Sequence, residues 1–166
     1  MTIVLASPDF RRSQFSDARV VSLIDGELLP FAVDAAMTGR IRQEGNQWIF
    51  HTAQGLVIQL PRAATMMWDN SAKTRIDGLF QLVIDGSRVE LRPATADTPG
   101  QLGGRIAAVR QHAQRCQVEV ALAGGQTLTA DISAECYQRS GLNIGTRVAL
   151  DLGPEAVRLI PRQTTA

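Results

Sequence analysis

The chain has 166 residues, 45% of them hydrophobic and 20% charged, a balance typical of a folded protein rather than a disordered one. Its net charge of +1 disfavours a surface dedicated to nucleic acid, because such surfaces need a clustered excess of positive charge. No apolar run reaches the roughly 20 residues of a membrane-spanning helix. The N-terminal residues lack a basic leader, so we expect no signal peptide.

The first 35 residues predict a strand, a helix and a second strand. Residues 2–6 read as a short buried strand, 9–17 as a helix of two turns, and 19–24 as a β-rich run. This order suggests a βαβ fragment. Such a fragment could not bury both faces of its strands by itself, because parallel strands normally lie between helices.

From residue 38 onward the pattern predicts β structure. Apolar and polar residues alternate, turn residues punctuate the runs, and Pro61 ends one run because it cannot donate to a sheet. Asp85-Gly86 predicts a hairpin between the last two strands of this part. The predicted strands cover residues 38–42, 47–52, 56–60, 78–84 and 88–92.

The same plan recurs after a short linker that contains two prolines. Gly39-Arg40-Ile41 reappears as Gly104-Arg105-Ile106, and residues 82–93 align with residues 150–161. Ser133 is a good N-cap and Gly141 a good stop, so residues 134–140 are predicted as a short helix. The predicted strands cover residues 104–110, 115–122, 127–132 and 147–152, with a final strand after Gly153-Pro154.

The predicted fold class is therefore mainly β, with two tandem small OB-like barrel units after a short βαβ segment. The predicted boundaries are 1–35 for the βαβ segment, 36–93 for the first unit, 94–100 for the linker and 101–166 for the second unit.

Four stretches of the second unit carry a family resemblance: residues 104–109, 117–122, 128–132 and 142–148. They resemble a TOBE (transport-associated OB) module, which lies at the C-terminal end of ATP-binding subunits of bacterial ABC importers. The resemblance implies a cytoplasmic regulatory region, peripheral to the inner membrane through a transporter complex. It also implies an ATPase or permease subunit, or a second copy, as partner.

The N-terminal segment extends the resemblance to an ABC ATPase domain. Residues 2–9 resemble the strand before its switch histidine, and residues 16–28 the following strand and turn. Pro8 stands where the family has histidine before aspartate, which is a clear departure. The resemblance implies that residues 1–35 are a remnant of the C-terminal end of that domain.

Catalysis is not predicted. The sequence holds no G-x-x-x-x-G-K-[ST] loop, no apolar strand ending in Asp-Glu and no Leu-Ser-Gly-Gly-Gln signature, which phosphoryl transfer by this family requires. His51 and His112 read as solvated or hydrogen-bonded residues, and no serine has a G-x-S-x-G context. Cys116 and Cys136 lack zinc-site spacing and read as ordinary thiols. We therefore predict no catalytic residue, cofactor or metal.

Two functions remain open at this point. One is the regulatory and interaction region of an importer for an oxyanion, ferric iron or another small solute. The other is a free-standing TOBE/MOP-like binder of molybdate, tungstate or sulfate. Molybdate-binding relatives often carry Ser-Ala-Arg-Asn before the first strand, whereas residues 98–103 read Thr-Pro-Gly-Gln-Leu-Gly here.

Two groups of residues are candidates for binding. Arg105, Arg110 and Arg115 surround the first hairpin of the second unit, and guanidinium groups suit tetrahedral oxyanions. The alternative is a solvated barrel surface. Met66, Met67 and Trp68 are candidates for a docking surface, with loop packing as the alternative.

Overall fold

The computed structural model describes residues 21–24, 27–29, 33–62, 78–94 and 101–162. The chain divides into two compact units, Met1–Ala32 and Val33–Ala166. In the first unit, β1 (Ser22–Ile24) pairs antiparallel with β2 (Glu27–Leu29). The predicted first strand and helix, residues 2–6 and 9–17, lie outside the described residues.

The second unit holds ten described strands in two five-stranded antiparallel sheets. The strands are β3 (Ala35–Glu44), β4 (Gln47–Thr52), β5 (Val57–Leu60), β6 (Phe80–Ile84), β7 (Val89–Pro93), β8 (Leu102–His112), β9 (Arg115–Leu122), β10 (Thr127–Ser133), β11 (Arg147–Leu152) and β12 (Val157–Pro161). The first sheet has the order β12-β6-β3-β4-β5, and the second has the order β10-β9-β8-β11-β7. The edge strands β10 and β7 also contact each other, which curls the second sheet toward a barrel.

One α-helix, α1 (Ala134–Ser140), lies wholly within the part of the second unit that the structure describes. The Ser133 hydroxyl accepts the Cys136 N–H at 3.1 Å and so caps the first turn. Gly141 ends the helix with a φ of 66°, a conformation that costs glycine little. The predicted helix and the mainly β, OB-like fold class are confirmed. No helix among the described residues is long and apolar enough to cross a membrane.

The two repeats exchange their last strands. β7 follows β6 along the chain but pairs with β11 in the second sheet, and β12 returns to pair with β6 in the first. The hairpin predicted between residues 78–84 and 88–92 is therefore wrong. Because of this exchange, each sheet consists of four strands from one repeat and one strand from the other. The domain boundaries stay predictions.

The turn after β6 explains why no hairpin forms. Asp85 has a φ of −88°, and its carboxylate accepts the Ser87 N–H at 3.0 Å, so a 3-10 turn replaces the expected reversal. The Gly86 N–H donates to Asp34 Oδ2 at 2.8 Å. A Cβ on Gly86 would lie 1.8 Å from the Thr129 carbonyl oxygen, so this turn is pressed against β10.

The chain passes between the sheets at two crossovers, residues 85–88 between β6 and β7 and residues 153–156 between β11 and β12. The Asp85 N–H of the first crossover donates to the Ala156 carbonyl oxygen of the second at 2.8 Å. Arg88 and Glu155 form an ion pair between the same two turns. These two contacts hold the first and second crossovers against each other.

The core is one hydrophobic cluster to which both sheets contribute. Phe50 and Phe80 from the first sheet and Leu128 and Leu150 from the second are almost completely buried. Burial of each such side chain contributes roughly 1.5–3 kcal/mol. Trp48 packs against the cluster on the same face as Phe50, as the alternation predicts.

Candidate functional site

An open groove of about 380 Å³ lies against the second sheet. Its walls come mainly from β8, β9 and β11, with one residue from before β5 and one from after β7. The residues that line it are Leu56, Ala94, Gln101, Gly103, Gly104, Arg105, Ala121, Leu122, Ala123, Arg147, Val148 and Ala149.

Two arginines face each other in this groove. Arg105 on β8 and Arg147 on β11 are directly opposite in the antiparallel register. Both alternate with buried neighbours, Ile106 and Val148, and so lie on the outer face of the sheet. The Arg105 Nη1 donates to the Gly145 carbonyl oxygen at 3.0 Å, which fixes its direction. Among the described residues that line the groove, these two carry the charge and none is acidic.

Like charges directly opposite on neighbouring strands repel each other. A bound anion would turn that repulsion into attraction to both groups. At a separation of 4 Å and an effective dielectric constant of 20, each attraction is worth about 4 kcal/mol before desolvation is subtracted. The described lining of the groove is therefore positively charged.

Small residues line the groove beside the arginines. Gly104 alternates with Arg105 on the strand and shares the inner face of Leu102 and Ile106. A Cβ on Gly104 would lie 2.4 Å from the Ala121 carbonyl oxygen and 2.7 Å from the buried Val120 Cγ1, so no side chain fits there on the core side. Gly103 is next to it, and its Cβ would lie 3.4 Å from the Val148 carbonyl oxygen. The Gly-Arg motif thus places a tightly packed glycine toward the core and the following guanidinium on the outer face of the sheet.

The three arginines predicted from the sequence do not form one cluster. Arg105 lines the groove, whereas Arg110 lies further along β8, opposite Gln117. The Arg115 Nε is 2.9 Å from Asp131 Oδ1, an ion pair on the outer face of the hairpin. Arg147 is a groove residue that the sequence pattern did not single out.

The second predicted group, Met66, Met67 and Trp68, lies outside the described residues, so its docking role stays a prediction. No group of three or more His, Cys, Asp or Glu residues suited to a metal occurs within the described ranges.

Both cysteines have free thiols, as expected. Cys116 is buried and Cys136 exposed. Burial raises the pKa of the Cys116 thiol, and the negative charge of Asp131 raises it further. A thiol of this kind stays protonated at neutral pH and is a poor nucleophile or metal ligand.

The strands that form the groove match a known family of domains. Residues 96–159 match the TOBE domain. The match covers β8 to β11 and therefore all of the groove except Leu56 and Ala94. The TOBE expectation for the second unit is confirmed.

The structure is also similar to a solved one, the cytoplasmic molybdate-binding protein ModG with molybdate bound. The TM-score is 0.57 at 15% sequence identity, over 78% of this chain and 97% of that chain. At 15% identity, this similarity shows that the two proteins share a fold. No curated protein sequence matches the chain.

Proposed function

We propose that residues 33–162 form a non-catalytic module that binds a small oxyanion in the groove between Arg105 and Arg147. Three observations support the proposal. The two arginines are directly opposite on neighbouring strands, glycine and alanine residues line the groove beside them, and no described lining residue is acidic. Two guanidinium groups can each donate two hydrogen bonds to a tetrahedral dianion. Molybdate, tungstate and sulfate are the ligands of this class to test first.

The comparisons support this choice. The ModG structure holds molybdate, and the TOBE match covers the strands that carry the two arginines. ModG is described as cytoplasmic. The same location is our proposal for this chain.

Calorimetric titration of each oxyanion tests the proposal. We expect saturable binding by the unmodified chain and at least about tenfold weaker binding in Arg147→Gln and Arg105→Gln, because each loses a charge-assisted hydrogen bond. Arg139→Gln is the matched control, since Arg139 lies on α1 and pairs with Glu135. Equal affinities in Arg147→Gln and Arg139→Gln would refute the groove as the site.

A second candidate function is the regulatory region of an ABC importer ATP-binding subunit, with residues 1–35 as a remnant of its ATPase domain. The TOBE match at residues 96–159 favours it. In this role the predicted docking residues 66–68 would contact an ATPase subunit, a permease subunit or a second copy. An ATPase reading frame directly upstream would favour this role, and co-purification of its product with the tagged chain would test it.

A further inference from the structure

The groove of the second sheet has a counterpart in the first sheet. Gly39 and Arg40 hold the same places on β3 that Gly104 and Arg105 hold on β8. A Cβ on Gly39 would lie 2.3 Å from the His51 carbonyl oxygen, which matches the 2.4 Å approach at Gly104. Both glycines face the core, so the internal repeat reproduces the tightly packed glycine and, with it, the outward position of the arginine that follows.

A second equivalence comes from a backbone hydrogen bond at the end of each exchanged strand. In the second sheet, the Ala94 N–H donates to the Arg147 carbonyl oxygen at 3.0 Å. In the first sheet, the Arg162 N–H donates to the Leu79 carbonyl oxygen at 2.9 Å. Leu79 thus takes the place of Arg147, and Arg162 takes the place of Ala94.

On the first sheet, an arginine stands at the end of the exchanged strand instead: Arg162 directly follows β12. Arg162 extends back across the sheet, where its Nη1 lies 3.5 Å from Thr38 Oγ1. Thr38 and Arg40 alternate with the buried residues Met37 and Ile41, so both are on the outer face of β3. The contact to Thr38 therefore brings the Arg162 guanidinium to the strand and face that carry Arg40.

We infer that the outer face of the first sheet carries a second small-anion site, formed by Arg40 and Arg162 with the Thr38 hydroxyl. This inference rests on the proposed function of the second-sheet groove for its ligand class. The ligand is again a small oxyanion, which accepts hydrogen bonds from both guanidinium groups and from the hydroxyl.

The surroundings make the first-sheet site the weaker of the two. His51 is directly opposite Arg40 in the register, and its Nε2 lies 3.6 Å from Glu44 Oε1. The negative charge of Glu44 opposes an anion near Arg40. The second-sheet groove has no acidic residue among its described lining.

Counting bound anions in single and double variants tests the inference, with sulfate and tungstate as probes. We expect Arg162→Gln to halve the saturating ratio of anion to protein, Arg147→Gln to halve it by removing the other site, and the double variant to bind none. Arg158→Gln is the matched control, because Arg158 is an exposed arginine of β12, the strand that Arg162 directly follows, and it is paired with Val83. Thermal unfolding of each variant checks that it is folded.

An Arg162→Gln variant with the ratio and affinity of Arg158→Gln would overturn the second site. If Arg147→Gln still weakened binding in that case, the second-sheet groove would stand alone. A separate measurement uses Glu44→Gln in the Arg147→Gln background, where we expect several-fold tighter binding. An unchanged or weaker affinity there would contradict the assignment of the remaining site to Arg40 and Arg162.

Discussion

The first and second sheets repeat the same backbone but place their charges differently. On the second sheet, Arg105 and Arg147 are opposed on neighbouring strands, whereas on the first sheet Leu79 takes the place of Arg147 and the second arginine is Arg162. The glycine approach and the strand-end hydrogen bond occur in both. The close backbone approach faces the core and tolerates no side chain, whereas the second arginine stands on β11 in one sheet and directly after β12 in the other.

The crossovers differ as well, and they offer the largest expected effect. Gly86 in the first crossover is pressed against the Thr129 carbonyl, while a Cβ on Gly153 in the second crossover would meet nothing within 4 Å. We expect Gly86→Ala to lower the free energy of unfolding by about 3 kcal/mol or more, because backbone must shift to admit the methyl group. Gly153→Ala should change it by less than about 0.5 kcal/mol.

Urea unfolding of the two variants measures this difference. Equal stabilities would mean that the first crossover is no more tightly packed than the second.

A smaller effect is expected at the residue that anchors the first crossover. Asp34 Oδ2 accepts the Gly86 N–H at 2.8 Å. Asp34→Ala should cost about 2 kcal/mol, since a hydrogen bond to a charged acceptor in a partly buried site is lost. Asp34→Asn keeps an acceptor oxygen and should recover most of that loss. An Asn variant as unstable as the Ala variant would argue against this bond as the anchor.

The smallest effect is expected on the outer face of the second sheet. Arg115 pairs with Asp131 at 2.9 Å, but its side chain is exposed, so Arg115→Gln should cost less than about 1 kcal/mol. It should also leave oxyanion affinity unchanged, in contrast to Arg147→Gln. Calorimetry and thermal unfolding on the same samples measure both quantities, and a loss of affinity similar to that of Arg147→Gln would place Arg115 in the site after all.

The local elements of this protein follow from its amino-acid order alone. Alternating apolar residues predicted β4, β9 and β11 at their observed bounds, and Ser133 with Gly141 predicted α1, because side-chain periodicity and caps depend on neighbours along the chain. The repeated Gly-Arg-Ile motif also contains Arg105, which forms one half of the proposed anion groove.

Strand pairing, by contrast, depends on contacts between distant segments. Asp85-Gly86 is a good hairpin signal, yet Asp34, Thr129 and Ala156 redirect that turn, and all three are far from it along the chain. The same long-range pairing sets Arg147 opposite Arg105 and carries Arg162 back to Thr38. Such contacts follow from the packing of the shared core and not from local preference. Arg147 is therefore found only from the pairing of β8 with β11, and Arg162 only from the exchange that returns β12 to the first sheet.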